Sequence, residues 1–222
     1  MKNFPKALLF DLNGTMIDDM HYHISAWHRI LNNLGASISL EATKAECYGK
    51  NSDVLERVLP GKFNMEEKDL IGIEKEIRYR EEFLPHLKLL QGLDNFLAAA
   101  AQQEMKMAIG SAAITANIDF VLDGLNIRHY FSAIVSADDV TNSKPDPETF
   151  LKCAAKLGVD PKDCIVFEDA PKGVLSAQRA GMKTVILTTM HTEDEFESHP
   201  DTIAIVPDYR DPLFTKLFNN SK

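Results

Sequence analysis

The chain has little cysteine, no excess of basic charge and no long apolar run, and each shortage argues against a class of protein. Its three cysteines, Cys47, Cys153 and Cys164, stand far apart, are odd in number and form no C-x-x-C pair. That pattern argues against a disulfide framework or a zinc site and fits buried thiols in a reduced compartment. Acidic residues outnumber basic ones by 33 to 24, for a formal net charge of −9. With no basic stripe to offset this charge, nucleic acid is not an expected partner. A phosphorylated substrate stays open, because a bound cation and one lysine can reverse the local field. No apolar stretch approaches the roughly 20 residues that a membrane helix needs. The opening MKNFPKALLF meets a carboxylate too soon to read as a signal peptide. The expectation is a cytoplasmic protein with no membrane partner.

What is present is ordinary globular composition, 45% hydrophobic and 26% charged over 222 residues. That length allows one large domain or a core with a smaller insert. The most informative stretch is ALLFDLNGT. Ala7, Leu8, Leu9 and Phe10 read as a short strand buried on both faces, as in a parallel sheet. Asp11 ends it, and Gly14 allows a sharp turn. In an open α/β sheet the carboxyl end of a strand is where ligands bind. Turn formation alone would also explain Asp11 and Gly14, so the rest of the chain decides.

Residues 18–35 carry His23, Trp27, Ile30, Leu31 and Leu34 at helical spacing, with Gly35 as a stop. Residues 39–88 are charged, poor in strand-like runs and helical in pattern. The clearest helix is 66–83, whose apolar positions are Leu70, Ile73, Ile77 and Tyr79. Pro60-Gly61 and Pro85 punctuate the segment. It reads as a helical cap inserted after the first strand. From Leu89 on, strands and helices alternate. Strands are expected at 106–109, 133–136, 164–167, 184–187 and 203–206, and helices at 93–103, 115–125, 147–157, 171–180 and 212–218. Such alternation implies parallel strands with right-handed crossovers. The expected architecture is α/β, a doubly wound, Rossmann-like parallel sheet formed by residues 1–16 and 90–222, with a helical cap at 17–89.

Residues just past parallel strand ends collect along one rim. Three ends carry polar groups here, Asp11 with Asn13, then Ser111, then Glu168 with Asp169, and the loop before Pro147 adds Lys144. The set holds acids for a hard cation, a hydroxyl and an ammonium for an anion, and a carboxylate free to attack. Magnesium takes oxygen ligands, commonly one or two carboxylates with waters and substrate phosphate, so Asp11 and Asp169 form the natural pair.

Asp11 with Gly14-Thr15, then Ser111, then Lys144 in SKPDP, then Glu168-Asp169 in FEDAPKGVLSAQRAG, resembles the four ordered motifs of the haloacid dehalogenase superfamily. The resemblance spans essentially the whole chain. The helical insert after the first motif is similar to that of the subgroup containing β-phosphoglucomutase and many small-molecule phosphatases. The resemblance implies Asp11 as nucleophile and aspartyl-phosphate carrier. It implies that Thr15, Ser111 and nearby backbone N–H groups, Ala112 among them, hold phosphoryl oxygens, with Lys144 on the same oxygens. Magnesium would be bound by Asp11, Asp169, the backbone carbonyl of Asn13, and Glu168 directly or through water. His23 near the hinge and Lys50 in a cap loop are candidate substrate contacts, while Trp27 reads as cap packing.

The chain departs from the family at Asn13, where phosphate-transferring members usually carry Asp. That Asp protonates the leaving group and later helps water attack; an amide has no acid proton to give. Three readings stand: a nearly isosteric change made to trap a complex, an enzyme whose substrate needs little protonation, or a binder that has lost catalysis. The segment Tyr48-Gly49-Lys50-Asn51-Ser52 lacks the arginine that a mutase of bisphosphorylated sugars places there, and Ala112-Ala113-Ile114-Thr115 lacks its serine, lysine and asparagine. A phosphatase acting on a small phosphorylated metabolite, as a monomer or weak dimer, is therefore expected ahead of a mutase or a non-catalytic phosphate binder. His28, His86, His129, His191 and His199 show no partner at ligand spacing, and the acidic run 193–197 reads as a solvated loop or helix start.

Overall fold

Four apolar residues with no polar break need burial on both faces, and the sheet supplies it. In the computed structural model, which describes residues 5–196 and 200–219, strand β1 (Ala7–Phe10) is fully buried. It lies between β2 (Lys106–Gly110) and β4 (Cys164–Glu168), parallel to both. Strands β3 (Ala133–Val135), β5 (Lys183–Leu187) and β6 (Thr202–Val206) complete the sheet. The order is β3-β2-β1-β4-β5-β6, every pair parallel. This is the doubly wound arrangement, and its strand order reverses at β1, the point where such sheets open a crevice at their carboxyl edge. All six expected strands are present among the described residues.

The chain divides into two compact units, Met1–Asp18 with Lys88–Lys222, and Asp19–Leu87. The expected insert was 17–89. In the first unit, alternate residues of β1 serve two cores. Ala7 and Leu9 join Ala108, Val135, Phe150, Cys153, Val166 and Ala177 on one face. Phe10 stacks on its register partner Phe167, ring centres 4.6 Å apart, and Phe96 closes edge-on against both. Helices α5 (Leu93–Gln102), α6 (Thr115–Gly124), α7 (Glu148–Leu157), α8 (Pro171–Arg179) and α9 (Pro212–Asn219) alternate with the strands. The three cysteines are free, and burial first of all pushes the Cys153 thiol up to about 12 and that of Cys164 to about 11.

The second unit holds α1 (Met20–Asn33), α2 (Leu40–Glu46), α3 (Asn51–Val58) and α4 (Met65–Phe83). Its core gathers Trp27, Ile30, Leu31, Val54 and Leu55, so Trp27 is packing. Asn64 caps α4 by accepting the Glu67 N–H at 3.0 Å, while the Glu67 carboxylate accepts that of Asn64 at 2.9 Å. The expected helix over 66–83 is present, and its apolar positions divide between surface and interior. Leu70, Ile73 and Ile77 are exposed, and the inward face carries Gly72, Lys75, Glu76, Tyr79 and Phe83. Charged residues can turn inward here because they pair: the Lys75 ammonium donates to Glu76 at 3.0 Å and contacts His23 Nδ1 at 2.6 Å. Tyr79 donates its hydroxyl to Asp19, and Asn51 donates to Glu76 at 2.9 Å. Burial nonetheless lowers the Lys75 pKa. No helix among the described residues is long and apolar enough to cross a membrane.

Candidate active site

β1 and β4 are neighbours, so the residues that follow them are neighbours too. Asp11 is the first residue beyond β1, and its N–H donates to the Phe167 carbonyl at 3.0 Å, extending the ladder by one step. Glu168 closes β4 and Asp169 follows it. Lys144, from the loop before α7, donates to Asp11 Oδ1 and to Glu168 Oε1, each at 2.7 Å. One ammonium thus bridges carboxylates from two strand ends. The ammonium also lies over the Phe150 ring, whose centre is 4.5 Å from Nζ.

Glu168 uses its other oxygen as well. Oε2 accepts the N–H groups of Asp169 and Ala170, both at 2.9 Å. This carboxylate is a fixed anchor for Lys144, and the fit depends on Gly173. A Cβ there would lie 1.7 Å from Glu168 Oε1, and one on Gly14 would lie 2.0 Å from Asp169 Oδ2. Gly14 also has φ of +71°, a conformation that side chains with a Cβ rarely adopt. The two glycines therefore make room for two of the acids. Thr15 donates its hydroxyl to Asp169 Oδ1 at 3.1 Å. Ser111 hydrogen-bonds Asp11 and accepts the Ala113 N–H at 3.2 Å.

Structure and sequence thus converge on one cluster in the first unit: Asp11, Thr15, Ser111, Lys144, Glu168 and Asp169. Asn13 sits half-buried in the turn with Gly14, in a short bridge to Ile17, and Ala112 is exposed just past Ser111. His23 and Lys50 belong to the second unit. There His23 stacks on Tyr79 at 3.7 Å between ring centres, and Lys50 immediately precedes α3 with its N–H on Asp53 at 3.1 Å. Thr189 is a residue the sequence reading overlooked. It follows β5 and donates its hydroxyl to the Gly14 carbonyl at 2.6 Å, tying a further strand end to the turn. Its place just past a strand end was the one signal the sequence offered. A second correction concerns His191, which pairs with Glu195 at 2.9 Å, four residues on, at an exposed site. His199 and Glu197 lie outside the described residues.

Burial dominates the electrostatics. It raises the Asp11 carboxyl to about 6, with Lys144 pulling it down and Glu168 adding to the rise. Burial, then Glu168 and Asp11, raise Asp169 well above the ordinary carboxylate range. On Lys144 burial works downward, but the charges and hydrogen bonds of Asp11 and Glu168 outweigh it and the ammonium is held more tightly. One lysine is too few cations for three buried acids. An added divalent cation suits the remainder, and the donor set is all oxygen. Among the described residues no three His, Cys, Asp or Glu side chains converge as a closed metal cage. Magnesium does not require one, since one or two carboxylates with waters and substrate oxygens suffice.

The sign of the pH dependence follows. An acid raised by folding binds its proton more tightly in the native state, so its contribution to stability is present below 3.8 and is lost as pH rises to about 6. Millimolar magnesium should therefore raise the melting temperature by several degrees near pH 7.5 and by much less near pH 5. Calorimetry at both pH values checks this, and an equal shift at both would contradict it.

The family model described as haloacid dehalogenase-like hydrolase matches residues 8–187, from within β1 to the end of β5. The chain belongs to this family. Among its relatives is a fructose-1-phosphate phosphatase of Escherichia coli K12, 34% identical over 183 residues, covering 81% of this chain and 94% of the relative. A β-phosphoglucomutase of Bacillus subtilis 168 is 31% identical over 188 residues, covering 81% and 82%. The crystal structure of a HAD hydrolase, family IA, variant 3, from Entamoeba histolytica superposes with a TM-score of 0.86 at 25% identity, covering 96% of this chain and 98% of that one.

Proposed function

We propose that this chain is a magnesium-dependent phosphatase that hydrolyses a small phosphorylated metabolite, a sugar or sugar-alcohol phosphate, through an aspartyl-phosphate on Asp11. The observation that carries the reading is the Lys144 bridge between Asp11 and Glu168 at 2.7 Å on each side, with Asp169 alongside. Phosphoryl transfer needs positioning and charge neutralisation above all, and this cluster supplies both. The relative named as a fructose-1-phosphate phosphatase supports the substrate class.

Asp11, Asp169 and the Asn13 carbonyl would hold the cation, with Glu168 reaching it through water because its own oxygens are already engaged. When bound, magnesium neutralises charge on the transferring phosphoryl group and orients it. A carboxylate oxygen of Asp11 attacks phosphorus as the bond to the leaving oxygen breaks. Lys144 keeps Asp11 ionised for that attack and then faces the phosphoryl oxygens, with the Ser111 hydroxyl and the Ala112 N–H beside it. The leaving oxygen takes its proton from solvent; water then attacks phosphorus, returns a proton to solvent, releases inorganic phosphate and restores the carboxylate. Thr15, its hydroxyl on Asp169, orients that carboxylate. Asn13 can hydrogen-bond the leaving oxygen but cannot protonate it. The helical unit, with His23 and Lys50, is the cap that selects the substrate, in a cytoplasmic enzyme.

A mutase is the second reading, favoured by the relative named as a β-phosphoglucomutase. A panel of sugar phosphates, nucleotides and pyrophosphate, assayed for phosphate release beside conversion of β-glucose 1-phosphate, separates the two. Phosphate release from hexose or hexitol monophosphates is expected to exceed β-glucose 1-phosphate isomerisation by at least about a hundredfold, the weight of a missing fork of charge-assisted contacts. Isomerisation as the faster reaction would contradict the assignment.

A further inference from the structure

Nine large apolar side chains are exposed among the described residues, and four of them, Leu70, Ile73, Ile77 and Leu84, line one side of α4 and the 3-10 turn that follows it. Their spacing of three, four and seven residues keeps them within a narrow stripe opposite the buried Gly72, Lys75, Glu76 and Tyr79. Leu70 is 62% exposed and Ile73 56%, values far above those of residues packed within a fold.

We propose that this stripe is a self-association surface, on which α4 of a second copy of the chain lies antiparallel about a two-fold axis. The charges beside the stripe select that partner and that direction. On one flank stand Asp69 and Arg80, and on the other Glu74 and Arg78, which pair within the helix at 2.7 Å. In a two-fold antiparallel pair each flank meets the same flank of its mate, reversed about the axis. The midpoints of Asp69 with Arg80, of Ile73 with Ile77 and of Glu74 with Arg78 fall within two residues of one another, about 2–3 Å along the helix. One axis near Lys75 therefore sets Ile73 against Ile77, Asp69 against Arg80 and Glu74 against Arg78, each twice. A parallel pair would instead set each flank against the opposite one, bringing Asp69 beside Glu74 of the mate and Arg80 beside Arg78, like charge on like. The stripe and its flanks would bury on the order of 500 Å² per copy, about 1,000 Å² in total, the lower limit for specific association. Glu81 approaches Glu67 of the mate at each end, which keeps the pair weak.

Sedimentation velocity across a concentration series tests this on the full chain. The weight-average mass should climb from one chain toward two between roughly 10 and 500 µM, the range expected of so small an interface. Ile73→Glu should leave a monomer throughout. Asp69→Arg and Arg80→Asp should each weaken the dimer by about tenfold or more, and the double variant should return within about threefold of the parent. Circular dichroism and the melting temperature confirm that each variant is folded. A monomer at every concentration, a dimer unaffected by Ile73→Glu, or failure of the folded double variant to restore association overturns the proposal, as does a monomer whose stripe is instead covered by a different protein or a lipid surface.

Discussion

Replacing Asp11 with asparagine should reduce phosphate release by at least ~10⁴-fold, the scale on which loss of a covalent nucleophile falls. An amide nitrogen or oxygen at that position cannot form the mixed anhydride through which the phosphoryl group passes. The change should leave the fold intact. Lys144 keeps its bond to Glu168 at 2.7 Å, and Glu168 keeps the two backbone N–H groups of Asp169 and Ala170. Burial already raises the Asp11 carboxyl to about 6, so its ionised form is not a stabilising group in the cation-free protein. Melting temperature and turnover should therefore part company: the first within a few degrees of the parent, the second near background. A variant that unfolds while retaining activity per folded molecule would make Asp11 a structural residue.

The second large effect runs the other way. Asn13→Asp should raise turnover of an alkyl phosphate by at least about tenfold, because general acid–base catalysis is worth roughly 10²–10⁴-fold and an amide offers none. The gain should depend on the leaving group. A sugar alkoxide is strongly basic and must be protonated as it departs, whereas 4-nitrophenolate leaves well without help. In the first step, read as product released in a single turnover, the improvement should thus be large on a hexose phosphate and small on 4-nitrophenyl phosphate. Residue 13 sits half-buried beside Gly14 in the turn that follows β1, so the exchange of amide for carboxyl changes chemistry and little else. Equal rates for both proteins on an alkyl phosphate would remove Asn13 from any catalytic role.

Much of the core could be read directly from the residues, for a physical reason. A parallel strand covered on both faces must be apolar at consecutive positions, so runs such as ALLF and CIVF stand out and their turn residues mark where each one stops. Parallel strands also deliver their polar ends to one rim, which is why Asp11, Ser111 and Glu168-Asp169 can be gathered from the order of residues alone. Lys144 needed its SKPDP context, since nothing in periodicity distinguishes it from a surface lysine. Thr189 escaped because a threonine after a strand looks like any loop residue, and only the 2.6 Å bond to the Gly14 carbonyl shows its part.

The helical unit was harder. Helical spacing identifies a stripe on α4 but not which way the stripe points. Leu70, Ile73, Ile77 and Tyr79 are the apolar positions of the pattern, yet of these only Tyr79 packs inward, beside Phe83 and a paired Lys75 and Glu76. Neutralisation between neighbours lets charged residues be buried, and a composition-based reading assigns such residues to solvent. Helices α2 and α3 are seven and eight residues long, too short for periodicity to resolve within a charged segment.

The direct test is chemical trapping of the acyl phosphate. Asn13 cannot activate the water that would hydrolyse it, so the phosphorylated form should accumulate. The protein is mixed with magnesium and an activated phosphoryl donor such as acetyl phosphate, quenched in acid and digested. If Asp11 takes the phosphoryl group, the peptide spanning Ala7 to Thr15 gains the mass of one phosphoryl group, loses it to hydroxylamine and shows neither in Asp11→Asn. Sustained phosphate release with that peptide unmodified at every time point would show that the reaction does not pass through Asp11.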